Sequence, residues 1–304
     1  MAGSTIPEPV TAVTELAGSW LPLRLQNVER RLQEIVAGGG SLASEAESTL
    51  AAGGKRMRPL LVLLCAGRSA GAGAVRAATA VELVHMATLV HDDILDDAPL
   101  RRGLPTVVAD GGRRRAVETG DLLFSRAFAE LLDGPGAEPQ VAALAAASVA
   151  LAQGELAQRQ DAFRIDVSAE RYLQRCRLKT AALFECACVI GRQRPAAARA
   201  ALRRFGGEIG LAFQLLDDVL DVVGPPERTG KARGTDLLDG TVTLPLIRAR
   251  ERDPELAAID LGALDGPGAE RLSDRIAATG ATDTVRNEAR ERVERAKRGL
   301  RETA

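Results

Sequence analysis

Two clusters of carboxylates interrupt apolar stretches of this sequence: Asp92-Asp93-Ile94-Leu95-Asp96 and Asp217-Asp218-Val219-Leu220-Asp221. On a helix, residues four apart share a face, so Asp92 projects with Asp96 and Asp217 with Asp221, flanked by Asp93 and Asp218. Carboxylates crowded in this way repel one another unless a cation sits among them. Magnesium suits them, because it takes oxygen ligands octahedrally and bridges one or two carboxylates to substrate phosphates. Two such motifs could hold a diphosphate through a shared metal cluster. The flanks argue against plain solvated faces. Leu89-Val90 and Ile94-Leu95 surround the first motif, Leu215-Leu216 and Val219-Leu220 the second, and carboxylates on apolar helices are costly to bury without a partner.

Basic residues supply the complementary charge. Gly53-Gly54-Lys55-Arg56-Met57-Arg58 sets cations on a turn before a helix, suited to an anionic phosphate. Arg101-Arg102-Gly103 follows the first aspartate motif closely, and Lys179-Thr180 and Gly230-Lys231 are further candidates. His85 precedes Asp92 by seven residues, two helical turns away on nearly the same face.

Helices must position these groups. Helical periodicity runs from end to end, with no convincing period-two alternation. The composition, 46% hydrophobic but only 3% aromatic, calls for a core of Ala, Leu and Val, which favours helix. Gly38-Gly39-Gly40 closes an N-terminal helical region, and Pro59 opens a helix to about residue 67. A long helix is expected over about 74–97, a basic loop over 99–112, and helices over about 114–133, 140–160, 168–192 and 196–223. A polar loop over 224–240 and shorter helices follow, the last over about 283–302 with alternating charge. No linker marks a boundary, so one domain is expected over 1–304.

The 40 basic and 41 acidic residues leave a net charge of −1, without the basic excess a nucleic-acid partner selects. Cys65, Cys176, Cys186 and Cys188 show neither a disulfide framework nor metal-ligand spacing and read as core residues of a reducing compartment. No secretory signal is visible, and the apolar run 141–152, interrupted by Ser148, is too short to span a bilayer. A cytoplasmic protein without a transmembrane segment is the expectation.

As an ordered set these residues resemble the trans-isoprenyl diphosphate synthase (polyprenyl synthetase) family. The likeness runs from about Gly53 to Pro245. Besides the motifs above it includes Glu82-Leu83-Val84-His85, Gly120-Asp121, Gln153-Gly154-Glu155, Lys179-Thr180-Ala181, Phe213-Gln214, Thr235-Asp236-Leu237 and Thr243-Leu244-Pro245. It implies an all-α, isoprenoid synthase-like bundle with a central cavity, usually a homodimer. It also implies that the six aspartates hold several Mg²⁺ ions on an allylic diphosphate contacted by Arg101, Lys179 and Lys231. Lys55, Arg58, His85 and Arg102 would bind isopentenyl diphosphate, and Thr180 and Gln214 would help stabilise the allylic cation. The implied reaction is the head-to-tail (1′-4) condensation of the two diphosphates. Metal and cations would take up charge on the departing diphosphate. One departure is Thr241, where many relatives carry a lysine.

Short-chain relatives close the pocket with bulky aromatics about one turn before the first motif. Here Ala87 and Thr88 stand there, with Val84 and Val81 deeper, so a product of about C30 or longer is expected. Phe124 and Phe128 offer a deeper floor or are ordinary core aromatics. Three rivals stand beside this reading, the blandest a helical structural protein with acidic faces, which would not bind diphosphate with magnesium. A terpene cyclase on the same scaffold is opposed by the second intact aspartate motif. A non-catalytic partner subunit of a heteromeric synthase should show eroded metal motifs, and both are intact here.

Overall fold

The structure, a computed structural model, describes residues 8–134, 137–225 and 232–302. It is all-α apart from one two-stranded hairpin. In chain order the helices are α1 (Glu8–Ala17), α2 (Trp20–Ala37), α3 (Ala43–Ala51), α4 (Met57–Ala66), α5 (Ala72–Leu95), α6 (Val107–Leu132), α7 (Glu138–Asp161), α8 (Ala169–Cys176), α9 (Ala182–Ile190) and α10 (Ala196–Val223). Shorter helices Thr235–Leu238 and Leu244–Arg250 and longer ones Gly266–Ala278 and Ala281–Arg301 complete it.

The chain packs into two compact units, Met1–Ala146 with Cys186–Arg199 and Ala147–Glu185 with Ala200–Ala304. In the first, α5 is the axis. Ala77, Ala78, Ala80, Val81, Leu83 and Val84 are all fully buried, and a helix apolar on nearly every side belongs in a core. Its packing against α6 is the most extensive in the unit, and α2 and α4 lie against it as well. The small alanines allow those close approaches. In the second unit the core is built around Leu211, Leu215 and Val219 of α10 with Leu244, Leu246 and Ile276.

Three expectations change, one of them the polar loop over 224–240, whose described part contains the short helix Thr235–Leu238. The stretch 99–112 is not a plain loop: Leu100–Arg101 pairs antiparallel with Leu104–Pro105, and α6 already begins at Val107. Arg102 and Gly103 take φ 53° and 79°, the pair of positive values that a two-residue hairpin turn requires. The Thr106 hydroxyl caps α6 by accepting from the Ala109 N–H at 3.2 Å, and α6 bends at Gly112, where φ is 78°. The expected helix over 168–192 is broken in character: residues Arg177–Ala181 form a π-helical turn between α8 and α9. The long helices otherwise fall within a few residues of the periodicity.

By length and composition α5 and α7 could each cross a bilayer, which the run 141–152, interrupted by Ser148, did not suggest. In α5 67% of the apolar window is buried within the protein, in α7 only 17%. The first is thus a core helix, while the second leaves an apolar face outside. The four cysteines are reduced thiols, Cys176, Cys186 and Cys188 buried and Cys65 half-buried.

Candidate active site

Both aspartate motifs sit at helix C-termini. The last helical residue of α5 is Leu95, with Asp96 as its cap and the Asp96 N–H bonded to the Asp92 carbonyl at 2.9 Å. Asp217–Asp221 occupies the last turns of α10, which ends at Val223. Neither helix carries a basic residue in its last turn. Carboxylates at the negative end of a helix dipole are unfavourable unless cations join them. Position alone therefore strengthens the metal reading.

Within each motif the carboxylates divide. Asp92 and Asp221 are half-buried and Asp96 and Asp217 exposed, while Asp93 and Asp218 are buried at 5% and 2% exposure. Arg101 donates to Asp93 Oδ1 from Nε at 2.8 Å and lies within 2.7 Å through Nη2. Asp218 accepts from the Tyr172 hydroxyl and, at 2.8 Å, from Gln214 Nε2. Burial raises the Asp218 pKa above the usual carboxylate range against those two donors. Gln214 Oε1 in turn accepts from the Thr180 hydroxyl at 2.7 Å. Tyr172, Asp218, Gln214 and Thr180 thus form one continuous chain of hydrogen bonds. Asp221 holds the following loop, its carbonyl accepting from Gly234 N–H at 2.9 Å and its Oδ2 from Asp236 N–H at 3.2 Å. The Asp236 carbonyl accepts from Thr241 N–H at 2.7 Å.

This arrangement suits magnesium. Each motif turns two hard oxygen donors outward and braces the third inward. Among the described residues no three His, Cys, Asp or Glu side chains converge as a ready-made cage. Magnesium is bound in just that partial way, by one or two carboxylates with phosphates and water filling the other positions.

The π turn positions Lys179, which pairs with Glu155 of α7. Burial opposes ionisation of Glu155, but Lys179 and Arg159 outweigh it and hold the carboxyl below its usual range. A methyl group at Gly154 would overlap the Lys179 backbone, and one at Gly210 would come within 2.7 Å of the Ala181 Cα. Both glycines are needed for helices to close on the turn. Single π turns inside α-helices recur at functional sites.

Four arginines of the first unit, Arg56, Arg58, Arg101 and Arg102, act on His85. Lys55 is exposed and Arg58 half-buried. Arg102, at the hairpin tip, donates to the Gly53 carbonyl and reaches the Ala52 carbonyl at 3.3 Å. Gly53, Asp93, Arg101 and Arg102 line one crevice. Burial, then the charges of Arg58, Arg102, Arg101 and Arg56, push the His85 pKa well below its ordinary value, so the imidazole is neutral. Burial also lowers the Arg58 guanidinium to about 10, opposed by the Glu82 charge. Such a concentration of cations is an anion site. Lys231 lies outside the described residues.

Val81, Val84 and Ala87 are fully buried on α5 and Thr88 half-buried, its hydroxyl donating to the His85 carbonyl at 2.8 Å. Phe124 and Phe128 lie one turn apart on α6, their ring centroids 5.8 Å apart.

Two contributors carry little signal in the sequence, Tyr172 and His91, while Glu82 and Glu155 stand within the ordered motifs without an assigned role. The role of Glu82, one turn before His85, comes from its ion pair with Arg56. His91 packs where a Gly120 side chain would stand and lies 3.5 Å from Asp121, which accounts for that glycine. Tyr172, the single tyrosine, could not have been paired with Asp218 from spacing.

Residues 41–265 match the polyprenyl synthetase family model. The chain is 40% identical over 277 residues to heptaprenyl diphosphate synthase component 2 of Geobacillus stearothermophilus, covering 88% of this chain and 85% of that one. Other relatives are named geranylgeranyl diphosphate synthase and all-trans-nonaprenyl-diphosphate synthase. A heptaprenyl diphosphate synthase structure from Staphylococcus aureus superposes with a TM-score of 0.87 at 27% identity, covering 93% and 92% of the two chains. A polyprenyl synthase from Caulobacter crescentus, complexed with calcium and isoprenyl diphosphate, gives 0.80 at 34% identity, covering 92% of each. With both aspartate motifs and their basic companions in place, the chain belongs to the polyprenyl synthetase family and is a prenyltransferase of the isoprenyl diphosphate synthase kind.

Proposed function

We propose that this enzyme condenses isopentenyl diphosphate with an allylic prenyl diphosphate to give a trans-polyprenyl diphosphate of about C30 or longer, releasing diphosphate. The observation that carries the reading is the division within the two motifs: Asp92, Asp96, Asp217 and Asp221 face outward at the negative ends of their helices, while Asp93 and Asp218 are braced inward. The four outward carboxylates would hold Mg²⁺, with the inner pair fixing their helices. Bound there, the metal supplies charge stabilisation to the departing diphosphate.

The chain's own residues do the rest. Lys179, with Arg101 and Lys231, attracts the allylic diphosphate. Lys55, Arg58, Arg102 and neutral His85 bind isopentenyl diphosphate, a dianion or more drawn to three cations. Thr180 Oγ1 and Gln214 Oε1 place partial negative charge where the allylic cation develops. No side chain stands out as a general base for the final proton, and the released diphosphate is the base we assign. The family model spans both compact units, which supports reading 1–304 as one functional domain.

The length assignment rests on Ala87 and Thr88 beneath Asp92, with Val84 and Val81 below; none offers an aromatic floor. Names among the relatives extend from geranylgeranyl to nonaprenyl. The exposed stripe Ala142, Ala146, Val149 and Leu156 along α7 supports a homodimer, since an apolar helix face of this length is covered by a partner. The four reduced cysteines fit a reducing, cytoplasmic setting. A second reading is subunit of a heteromeric synthase, favoured by the relative named component 2; the intact motifs favour a chain active alone.

The test is Asp92→Asn and Asp217→Asn in the full chain. Each is expected to cut turnover by roughly 10²-fold or more, with an unchanged melting temperature. Near-normal turnover in either variant would overturn the metal assignment.

A further inference from the structure

Arg56 stands between Lys55 and Arg58, and its charge acts on His85 and Arg102, yet its guanidinium is engaged by two carboxylates. Its backbone takes φ 47°, ψ 34°, the left-handed conformation that an L-residue adopts only at a cost. There it caps α4, and its carbonyl accepts the first helical bond, from the Leu60 N–H at 3.0 Å. That bend sends the chain from exposed Lys55 directly into the turn carrying Arg58.

The guanidinium is committed on two sides. Nε donates to Glu29 of α2, Nη2 reaches Glu29 Oε2 at 3.3 Å, and Nη1 donates to Glu82 Oε1 of α5 at 2.9 Å. Glu82 is 3% exposed. An ion pair buried on one side is costly to break, because the remaining carboxylate loses its counter-charge. One planar fork therefore ties α2, α5 and the start of α4 together, in a geometry that lysine cannot reproduce. Gly54 makes room for it: a Cβ there would stand 2.9 Å from Arg56 Nη1 and 3.5 Å from Arg102 Nη1. Glu82 lies one turn before His85 on α5, and its charge also acts on Arg58 and Arg102.

We propose that Arg56 is a positioning residue for isopentenyl diphosphate, acting through Glu82 and Glu29 to hold Lys55 and Arg58 against His85 without touching the substrate. The proposal rests on the assignment of Lys55, Arg58 and His85 given above. In this arrangement Glu82 belongs to the same device: it is the anchor, and the arginine is the cable.

Steady-state kinetics of the full chain, with each substrate varied in turn, test it on Arg56→Ala, Glu82→Gln, the double variant and Glu29→Gln. Arg56→Ala and Glu82→Gln should each raise KM for isopentenyl diphosphate about tenfold or more, leaving kcat and the allylic KM within about threefold. The double variant should be little worse than Arg56→Ala, since both break one linkage. Glu29→Gln, on the more exposed side, should raise the same KM about threefold. If Arg56→Ala raises that KM while Glu82→Gln leaves it unchanged or lowers it, Arg56 contacts the diphosphate itself and the proposal fails. Equal shifts for both substrates, or additive effects in the double variant, also overturn it. Should the buried-pair variants not fold, an unchanged KM in Glu29→Gln is sufficient to refute it. An unaltered chain that incorporates no isopentenyl diphosphate takes down the functional reading and this proposal together; an active one with the refuting pattern takes down the proposal alone.

Discussion

Asp93 and Asp218, the central carboxylates of their motifs, look identical to their neighbours in the sequence, yet they are the two that turn inward. Helical spacing foretells which aspartates share a face; it cannot foretell that Tyr172, 46 residues away from Asp218, supplies the donor that makes burial tolerable. Tyr172→Phe removes that donor and leaves the carboxylate with fewer partners. Stability is expected to fall by about 1–3 kcal/mol, read as a lower urea midpoint at unchanged m-value. His85 makes a different residue-scale prediction. Burial and four guanidiniums hold its folded pKa well below the ordinary 6.5, so below that pH the unfolded chain takes up a proton that the native one refuses. Its stabilising contribution is therefore present above about pH 6.5 and lost as pH falls beneath it, by at most about 1.4 kcal/mol per pH unit. Denaturant unfolding of the substrate-free protein at several pH values should show a shallower acid slope for His85→Gln than for the unaltered chain.

At the scale of the element, periodicity and Gly/Pro punctuation located the long helices, because each needs a continuous apolar stripe. What stayed hidden depends on backbone conformations without a periodic signature. The hairpin at 100–105 rests on two positive φ values at Arg102 and Gly103. The π turn carrying Lys179 and Thr180 rests on one extra residue within an otherwise helical pattern. That turn is enclosed by Gly154 and Gly210, and the sequence shows the glycines without showing what they admit. Gly154→Ala should force the Lys179 backbone aside. The expected cost is about 1–3 kcal/mol in stability together with a loss of turnover, measured by denaturant unfolding and product formation. Helix ends were legible too: the expected helices over about 74–97 and 196–223 already end just past the acidic motifs, and the structure keeps both motifs at the negative poles of α5 and α10, where a cation has the most to offset.

For the whole molecule, the family, the all-α fold and the ordered set of motifs were legible because few other chemistries demand two such carboxylate clusters with these basic companions. Product length was less so, since it depends on the depth of a pocket and not on a motif. Ala87→Phe places an aromatic ring one turn before Asp92; product sizing by chromatography should show a shift to shorter chains, and an unchanged distribution would refute the pocket assignment. Val149→Glu puts a charge into the exposed stripe of α7 and should convert a dimer to monomer in analytical ultracentrifugation. The most direct measurement is incubation of the purified chain alone with labelled isopentenyl diphosphate and an allylic primer of ten to twenty carbons, with and without Mg²⁺. Elongated prenyl diphosphates that form only with the metal present are the expected result. Release of hydrocarbon from the allylic primer alone, or no product until a second protein is added, would contradict it.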